Sequence, residues 1–221
     1  MNVLIFGATG MVGQAALREA LQADDVQLVQ TVGRTPTGRQ HPKLRELVHA
    51  EMWDYSAVEE ELSGFDACFF CIGVTSSGMA EKAYAHLTYD MTLAVAEVLA
   101  RRNPQMVFVY VSGAGADSSE TSKTMWERVR GRTENALFKL PFRGAYVFRP
   151  GMIQPLDGIQ SKTTAYRWFY SLTKPLLPLL KAALPAHVLT TRQVGRAMLN
   201  VVRRGAPKRV LESRDIAAAA V

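Results

Sequence analysis

The sequence predicts an α/β fold, a doubly wound parallel sheet with helices on both faces, followed by a small C-terminal lobe. Six short apolar runs alternate along the first 150 residues with stretches whose apolar residues recur at helical spacing. The runs are nearly continuous in apolar residues, which is typical of parallel strands covered on both faces. With 221 residues, 48% of them apolar and 21% charged, the chain is long enough to bury one sizeable core.

The predicted strands follow these apolar runs in chain order. The six runs are NVLIF, VQLVQTV, ELVHAEM, DACFFCIG, MVFVYVS and GAYVFRP. A further short strand is predicted from KRVLE near the end of the chain. Strands that alternate with helices indicate parallel neighbours joined by crossover connections, so the runs are expected to share one sheet.

Amphipathic stretches between the runs predict the helices. The first has an apolar face formed by Val12, Ala16, Leu17, Ala20 and Leu21. The second has one formed by Tyr84, Leu87, Met91, Val95 and Val98. TTRQVGRAMLNVVRRG predicts a terminal helix, because Arg203 and Arg204 lie in its last turn and Gly205 is a stop signal.

The character of the sequence changes after Gly151. Residues 154–185 lack strand alternation and contain prolines that would interrupt a helix, so they are interpreted as a lid or small substrate lobe. We divide the chain into a dinucleotide-binding core, 1–150, and a small lobe, 151–221, whose terminal helix and strand complete the single domain. The aromatic residues of the lobe either pack within it or stack on a substrate or partner: Tyr166, Trp168, Phe169 and Tyr170.

The beginning of the chain has the pattern of a strand and a turn, without the features of an export signal, so a cytoplasmic protein is expected. The two cysteines, Cys68 and Cys71, lie in the fourth apolar run. An offset of three residues places strand side chains on opposite faces, and a disulfide between them is therefore not expected. We interpret both as interior residues.

Several other classes of protein lack support. No uninterrupted apolar run reaches 18 residues, so no membrane span is predicted. The four histidines are scattered, which gives a metal site no support, and no G-x-S-x-G elbow follows a strand. Arg128, Arg130 and Arg132 form a basic helix without a nucleic-acid reading motif, which favours a solvated face. The net charge of +6 favours anionic partners such as phosphates.

Gly7, Gly10 and Gly13 directly follow the first strand and open the first helix. The first glycine allows a tight turn, the second lets a pyrophosphate approach the backbone, and the third brings helix and strand together. The helix N-terminus presents unpaired N–H groups to the phosphates. The spacing predicts a dinucleotide here, with a purely structural turn as the alternative. The turn residues assigned to the cofactor are Gly7, Thr9, Gly10, Met11, Val12 and Gly13.

The residue after the second strand determines which dinucleotide is preferred. An acidic side chain there would accept the adenosine ribose hydroxyls of NAD and repel the additional phosphate of NADP. The chain has Arg34 instead, which can pair with a 2′-phosphate, with Arg39 as a second cation. We therefore predict NADP(H), with NAD(H) as the alternative cofactor and a solvated loop arginine as the alternative interpretation of Arg34.

Two further positions complete the predicted cofactor site. Asp54, just beyond the third run, either accepts a hydrogen bond from the adenine amine or is an exposed turn residue. Cys71, Ile72 and Gly73 end the fourth strand, where the main chain is expected to pass under the ribose.

These features together resemble the atypical short-chain dehydrogenase/reductase superfamily, and more closely its small members similar to the Tat-interacting oxidoreductase-like protein. The motifs that carry the resemblance run through nearly the whole chain: GATGMVG, FFCIGVTSSG, YDMTLAVAEVLA, VYVSGAGADSS, VFRPGMIQP, VGRAMLNVV and VLESRDI. The resemblance implies a Rossmann core that binds NADP(H), and a reductase or dehydrogenase acting on a small carbonyl compound.

The resemblance also supplies a catalytic template. In the superfamily a serine after the fifth strand assists, and a tyrosine four residues before a lysine performs the proton chemistry. Ser112 matches the serine, whereas Trp126 and Arg130 stand at the positions of the pair. Ser112 and Arg130 are also assigned to the cofactor, together with Pro150 of the VFRPG motif.

The Trp126 and Arg130 substitutions leave the reaction open. Four residues apart on a helix, the two side chains share a face, but an indole N–H has no useful acidity. Arg130 stays charged and can bond the nicotinamide ribose. Three explanations remain: another proton donor, a regulatory or redox-sensing protein that binds NADP(H) without turnover, or a shifted motif. The candidate donors are Ser112, Lys123, Tyr84, Tyr89 and Tyr166. The substrate, a protein partner and the oligomeric state stay open.

Overall fold

The computed structural model describes residues 1–159 and 188–221. Its strands are β1 (Asn2–Phe6), β2 (Leu28–Gly33), β3 (Leu44–Val48), β4 (Ala67–Phe70), β5 (Val107–Val111), β6 (Gly144–Arg149), β7 (Met152–Gln154), β8 (Val188–Thr190) and β9 (Val210–Glu212). Seven of them form a sheet in the order β3-β2-β1-β4-β5-β6-β9, and every neighbouring pair in it is parallel. The predicted doubly wound sheet is thus confirmed.

Helices connect these strands. They are α1 (Met11–Gln22), α2 (Glu81–Ala85), α3 (Met91–Arg102), α4 (Met125–Leu137), α5 (Thr191–Arg204) and α6 (Ser213–Ala219). A π-helical turn, His86–Asp90, joins α2 to α3, and two 3₁₀ turns, Ser56–Val58 and Glu60–Leu62, precede β4. The predicted apolar stripe that begins at Tyr84 therefore runs across α2, the π-helical turn and α3.

The side chains of β1 show how the sheet is buried on both faces. Val3 and Ile5 belong to a core cluster that also contains residues of α1 and α5. Leu4 and Phe6 belong to a second cluster, with residues of α3 on the opposite face. All four are fully buried, and each buried side chain of this size contributes about 1.5–3 kcal/mol relative to exposure. The continuous apolar runs of the sequence follow from this two-sided burial.

The position of β1 defines a crevice. Val3 lies beside Val29 of β2 and Ala67 of β4, so β1 has a parallel neighbour on each side. The strand order runs in opposite directions from this point, since β2 and β3 follow on one side and β4 to β6 on the other. The carboxyl ends of strands at such a reversal are the usual place for a ligand in open α/β sheets.

The third strand differs from its predicted run, ELVHAEM. β3 begins at Leu44 and ends at Val48, before the last four residues of the run. Among the strands described, β3 pairs with β2 alone, and its side chains are partly or wholly exposed. Pairing with β2 therefore determines its ends, which an apolar pattern could not show.

The C-terminal residues contribute to the main sheet and to a second, small one. β9 pairs with β6, and β7 pairs in parallel with β8 in a two-stranded sheet that the sequence did not predict. Thr190 caps α5 in a reciprocal pair with Gln193, and Gly205 ends the helix with φ of 73°. The division between residues 150 and 151 stays a prediction. The aromatic residues Tyr166, Trp168, Phe169 and Tyr170 lie outside the described residues.

Both cysteines are free thiols, and Cys68 lies in the core. Burial raises the pKa of each thiol, so both are protonated at neutral pH. Across 1–159 and 188–221, no helix has the length and apolar character needed to cross a membrane. The same two ranges contain no group of three or more His, Cys, Asp or Glu side chains arranged to hold a metal ion.

Candidate functional site

The glycine turn brings the ends of β1 and β4 and the start of α1 into close contact. Gly7 has φ of 76°, and a Cβ atom on it would lie 2.8 Å from the carbonyl carbon and oxygen of Cys71. A Cβ atom on Gly13 would lie only 2.1 Å from the carbonyl oxygen of Gly7. Side chains are thus excluded from both positions, and the backbone of the turn is left accessible at the crevice.

The N-terminus of α1 has no capping side chain. Gly10 is the N-cap residue, and its N–H donates to the carbonyl oxygen of Gly7 at 2.9 Å. The carbonyl oxygen of Thr9 accepts from Nε2 of Gln14 at 3.1 Å, which holds the turn against the helix. The first N–H groups of a helix lack partners within it, so those of Met11 and Val12 can bind an anion. The residues present fit a pyrophosphate.

The end of β2 presents cations and no free acid. Arg34 directly follows β2, is exposed, and has no hydrogen bond or ion pair with any other residue that the structure describes. The Arg39 side chain is exposed as well. Glu46 on the neighbouring β3 accepts from the backbone N–H of Thr37 at 2.6 Å, so this carboxylate is engaged. The arrangement leaves Arg34 available to a phosphate.

Asp54 has a local structural partner. Its Oδ1 accepts from the backbone N–H of Ser56 at 2.9 Å, and this hydrogen bond lowers the pKa of the exposed carboxyl. Its carbonyl oxygen lies 2.7 Å from Nε2 of His49. These contacts are those of an aspartate that stabilises a turn. A hydrogen bond from Asp54 to an adenine stays a prediction.

Ser112 lies at the carboxyl end of β5. Its side chain is buried, with the residue 7% exposed, and its Oγ has no hydrogen-bond partner within 1–159 and 188–221. The backbone N–H of Ser112 donates to Phe148 of β6, and that of Ala114 donates to the carbonyl oxygen of Pro150. The hydroxyl can therefore hydrogen-bond a ligand at the carboxyl end of β5, and its role in binding stays a prediction.

Trp126 and Arg130 both lie on α4, as predicted, but they contact different parts of the site. The indole of Trp126 packs on the loop after β5, where a Cβ on Gly115 would lie 3.2 Å from Cη2. The guanidinium of Arg130 lies between the ends of β4 and β5. Its Nη2 is 3.9 Å from the Cβ position of Gly73, and its Nη1 is 3.8 Å from that of Gly113.

Tyr84 is the candidate proton donor that the fold places beside Arg130. Nε of Arg130 donates to the Tyr84 hydroxyl at 3.0 Å, although the residues are 46 positions apart. Desolvation opposes the charge of the guanidinium, but the neighbouring Tyr110 and Tyr84 outweigh it, so the pKa of Arg130 is raised. Burial raises the pKa of Tyr110 to about 12. Arg130 is therefore charged throughout the physiological range.

The remaining candidate donors are placed differently. Cζ of Arg132 lies 4.1 Å from the centroid of the Tyr89 ring, so the guanidinium covers this ring. Lys123 is exposed. Tyr166 is outside the described residues. The pairing of Tyr84 with Arg130 was not predicted, because it depends on how α2 packs against α4 and no spacing in the sequence reveals it.

The loop between β5 and α4 forms one wall of the site and is organised by Asp117. Its carboxylate accepts from the backbone N–H groups of Ser119, Thr121 and Ser122 at 2.7–2.9 Å. Its carbonyl oxygen would lie 1.7 Å from a Cβ on Gly131, so the loop lies directly against α4. Hydrogen bonds, led by the one from the Ser119 hydroxyl, lower the pKa of Asp117 to about 2.

We expect Asp117→Asn to destabilise the protein at neutral pH and to have little effect at strongly acidic pH. The folded pKa lies below the ordinary value of 3.8, so the stabilisation is complete above about pH 4 and is lost as the pH falls towards 2. The free energy of unfolding in urea, measured for both proteins across this range, tests the expectation. Asp24→Asn is the control, since Asp24 is exposed and makes no side-chain hydrogen bond within the described ranges. A difference in the free energy of unfolding between Asp117→Asn and the wild type that stayed constant with pH would contradict the expectation.

Comparison with known proteins gives the family. Residues 3–133 match the model of the NAD dependent epimerase/dehydratase family, and they include the glycine turn, Ser112, Trp126 and Arg130. The chain belongs to this family. The resemblance to short-chain dehydrogenases and reductases is thereby confirmed.

Two curated relatives of this epimerase/dehydratase family member are 29% identical to it. Protein FMP52, mitochondrial, of Eremothecium gossypii matches over 157 residues, 69% of this chain and 66% of that protein. Protein HTATIP2 of Rattus norvegicus matches over 155 residues, 69% of this chain and 62% of that protein. The match thus spans slightly less than two thirds of each relative. These relatives contradict the predicted cytoplasmic location, which is wrong, because the FMP52 proteins are named mitochondrial.

Solved structures agree with the fold of the family. The Bordetella bronchiseptica enzyme WbmF, in complex with NAD⁺, superposes with a TM-score of 0.68 at 17% identity, covering 99% of this chain and 76% of that one. An oxidoreductase of the short chain dehydrogenase/reductase family from Burkholderia thailandensis gives 0.66 at 16% identity, covering 99% and 92%. At this identity the likeness establishes the fold alone.

Proposed function

We propose that the protein binds a nicotinamide dinucleotide at the glycine turn and is an oxidoreductase acting on a small carbonyl compound. The observation that carries the proposal is the convergence of β1, β4 and the uncapped N-terminus of α1 at Gly7 and Gly13. Such a turn at the reversal of strand order presents backbone N–H groups to a pyrophosphate. The family description names NAD, and WbmF was solved with NAD⁺, which supports the same cofactor class.

The preferred cofactor in this proposal is NADP(H). Arg34 follows β2, where the adenosine ribose of a bound dinucleotide would lie, and has no acidic partner among the residues described. A guanidinium there pairs with a 2′-phosphate, whereas the NAD-specific alternative would be a carboxylate. Arg39 is a second exposed cation in the same loop.

Arg34→Asp is expected to weaken NADPH binding by at least about tenfold, and NADH binding much less. One charge-assisted hydrogen bond contributes about 1.5–3 kcal/mol, and the new carboxylate repels the 2′-phosphate. Isothermal titration calorimetry with both cofactors measures the difference. Arg45→Asp makes the same charge change at an exposed position of the neighbouring β3, which is assigned no role in binding, and serves as the control. Equal weakening of the two cofactors by Arg34→Asp would contradict the assignment. Absence of binding of either cofactor to the wild type would overturn the proposed function itself.

The residues around the crevice then divide the remaining tasks. When bound, the dinucleotide supplies hydride-transfer chemistry. The Ser112 hydroxyl can hydrogen-bond a substrate carbonyl oxygen, since none of the residues described engages it. Arg130, fixed by Tyr84, presents its terminal nitrogens to the same strand ends. Trp126 forms a wall and cannot act as a general acid.

A second candidate function is a regulatory or redox-sensing protein that binds NADP(H) without turnover. Trp126 favours it, because this residue occupies the position of the proton-transferring tyrosine in the superfamily that the chain resembles. The structure retains the position on α4, while the side chain has no useful acidity.

The two functions are separated by the double variant Trp126→Tyr/Arg130→Lys, which introduces the usual pair. If the protein is a non-catalytic binder, NADPH consumption with a panel of carbonyl compounds should appear only in the double variant. If it is an oxidoreductase, the wild type should consume NADPH with at least one compound, and Ser112→Ala should lower that rate by about tenfold or more. Wild-type turnover insensitive to Ser112→Ala would contradict the assigned role of Ser112.

A further inference from the structure

The guanidinium of Arg130 has one edge engaged and one edge free. Nε donates to the Tyr84 hydroxyl, and Tyr84 is buried, so this bond fixes the plane of the guanidinium. The other edge, formed by Nη1 and Nη2, lies against Gly113 and Gly73. Neither terminal nitrogen has a hydrogen-bond partner among the residues that the structure describes. A free terminal edge has the geometry that binds two oxygen atoms of one carboxylate.

Two neighbouring arginines, Arg128 and Arg149, differ in this respect, whereas Arg132 is exposed and lies over the Tyr89 ring. Arg128 pairs with Glu81, with Nη2 2.6 Å from Oε2. Arg149 pairs with the buried Glu134. No ion pair involving Arg130 is found in 1–159 and 188–221, although it lies within a partly buried site. Glu134, one turn further along α4, interacts with Arg130 only beyond ion-pair distance and is itself paired with Arg149, so the terminal edge of Arg130 is left to an anionic ligand.

The second group at this place is the Ser112 hydroxyl. Ser112 precedes Gly113, whose Cβ position is 3.8 Å from Nη1 of Arg130, so both residues belong to the same strand end. The hydroxyl is buried and has no hydrogen-bond partner in the part of the chain that the structure describes. The unpartnered hydroxyl and the unpaired guanidinium edge are two independent observations. Both groups can donate hydrogen bonds, and both indicate a ligand with several oxygen acceptors.

We infer that Arg130 and Ser112 form a carboxylate-binding site and that the substrate is a small carbonyl compound carrying a carboxylate, an oxo acid. The free edge of Arg130 receives the carboxylate, and Ser112 binds a neighbouring oxygen. Tyr84 is a positioning residue that holds the guanidinium through Nε. The inference rests on the proposed function, in that it takes the ligand to be the substrate of a dinucleotide-dependent enzyme.

Calorimetric titration with pyruvate and with pyruvamide tests the site directly, without turnover. The two probes have nearly the same shape, and only pyruvate carries a charge. We expect the wild type to bind pyruvate at least about tenfold more tightly than pyruvamide, and Arg130→Met to abolish this preference. Arg130→Lys keeps the charge without the two-pronged edge and should retain a smaller preference. Equal affinity of the wild type for both probes would overturn the inference.

Arg132→Met is the matched control, because it removes an exposed cation two residues away on the same helix. It should leave the preference for pyruvate unchanged, and a loss equal to that of Arg130→Met would show a general charge effect and overturn the site. Melting temperatures confirm that each variant is folded, and Arg130→Gln replaces Arg130→Met if the latter is not.

Repeating the titration in saturating NADPH distinguishes the two sources of an anion. If pyruvate binds as well as before or better, the site serves a substrate. If NADPH displaces pyruvate competitively, Arg130 binds the dinucleotide, at its nicotinamide ribose or at a phosphate, and the substrate assignment is wrong. Pyruvate binding in a wild type that takes up no dinucleotide would retain the anion site and overturn the proposed function, so the two failures are separable.

Discussion

Gly13→Ala is expected to destabilise the protein by about 3 kcal/mol or more and to abolish dinucleotide binding. The added Cβ would lie 2.1 Å from the carbonyl oxygen of Gly7, and the nearest atoms all belong to backbone, which cannot move aside as a side chain could. Relief requires α1 to separate from the end of β1, which disrupts the turn. Urea unfolding measures the loss of stability, and calorimetry with NADPH measures the loss of binding.

Gly10→Ala provides the matched control within the same turn. Its Cβ would lie 3.3 Å from the Gly7 carbonyl oxygen, and Gly10 has φ of −80°, which alanine readily adopts. The stability cost should be about 1 kcal/mol, as for loss of a glycine N-cap. Dinucleotide affinity should nevertheless fall, since the methyl group occupies the path of the pyrophosphate. A Gly13→Ala variant as stable as Gly10→Ala would show that the turn is not closely packed.

Arg149→Met is expected to destabilise the protein by about 3–5 kcal/mol, because it leaves the buried Glu134 carboxylate without its hydrogen-bonded cation. Glu134 is fully buried on α4, and Nε of Arg149 donates to its Oε1 at 3.1 Å. Nη2 of Arg149 also donates to Ser118 at 2.6 Å, and Nη1 lies 3.4 Å from Glu212 on β9. One side chain thus joins β6, α4, the loop after β5 and β9. The free energy of unfolding in urea is the measurement.

Two comparisons make this expectation specific. Arg101→Met removes an exposed ion pair, with Nη2 of Arg101 3.1 Å from Oε1 of Glu59, and should cost no more than about 1 kcal/mol. The double variant Glu134→Leu/Arg149→Met removes both charges and should recover most of the stability lost in the single variant. If Arg149→Met lowers the free energy of unfolding no more than Arg101→Met does, the Arg149–Glu134 pair is effectively solvated and the expectation is wrong.

The sequence predicted those elements that depend on local patterns. β1 and β4 are continuous apolar runs because both faces of each strand are buried, and this pattern survives in the sequence alone. The ends of β3 depend on pairing with β2. β7 and β8 are three residues each, too short for a pattern, and they exist only because distant parts of the chain meet.

The candidate site shows the same distinction. The geometry of Gly7 and Gly13 was predicted because three glycines at fixed spacing determine it locally. The contact between Tyr84 and Arg130 could not be predicted, since it arises from packing between two helices. That no described residue bonds the Ser112 hydroxyl is likewise visible only when its surroundings are known.

The packing of α5 on α1 has a consequence for biosynthesis. Gly195 of α5 lies so close to α1 that a Cβ on it would be 2.8 Å from the carbonyl oxygen of Ala15. Leu17 on α1 and Met198 on α5 belong to one apolar cluster, so the late helix covers the early one. During translation, the first βαβ unit emerges long before its cover and must wait with that apolar surface exposed. We therefore expect the apolar surface of this first unit to stay uncovered in the nascent chain until α5 has been synthesised.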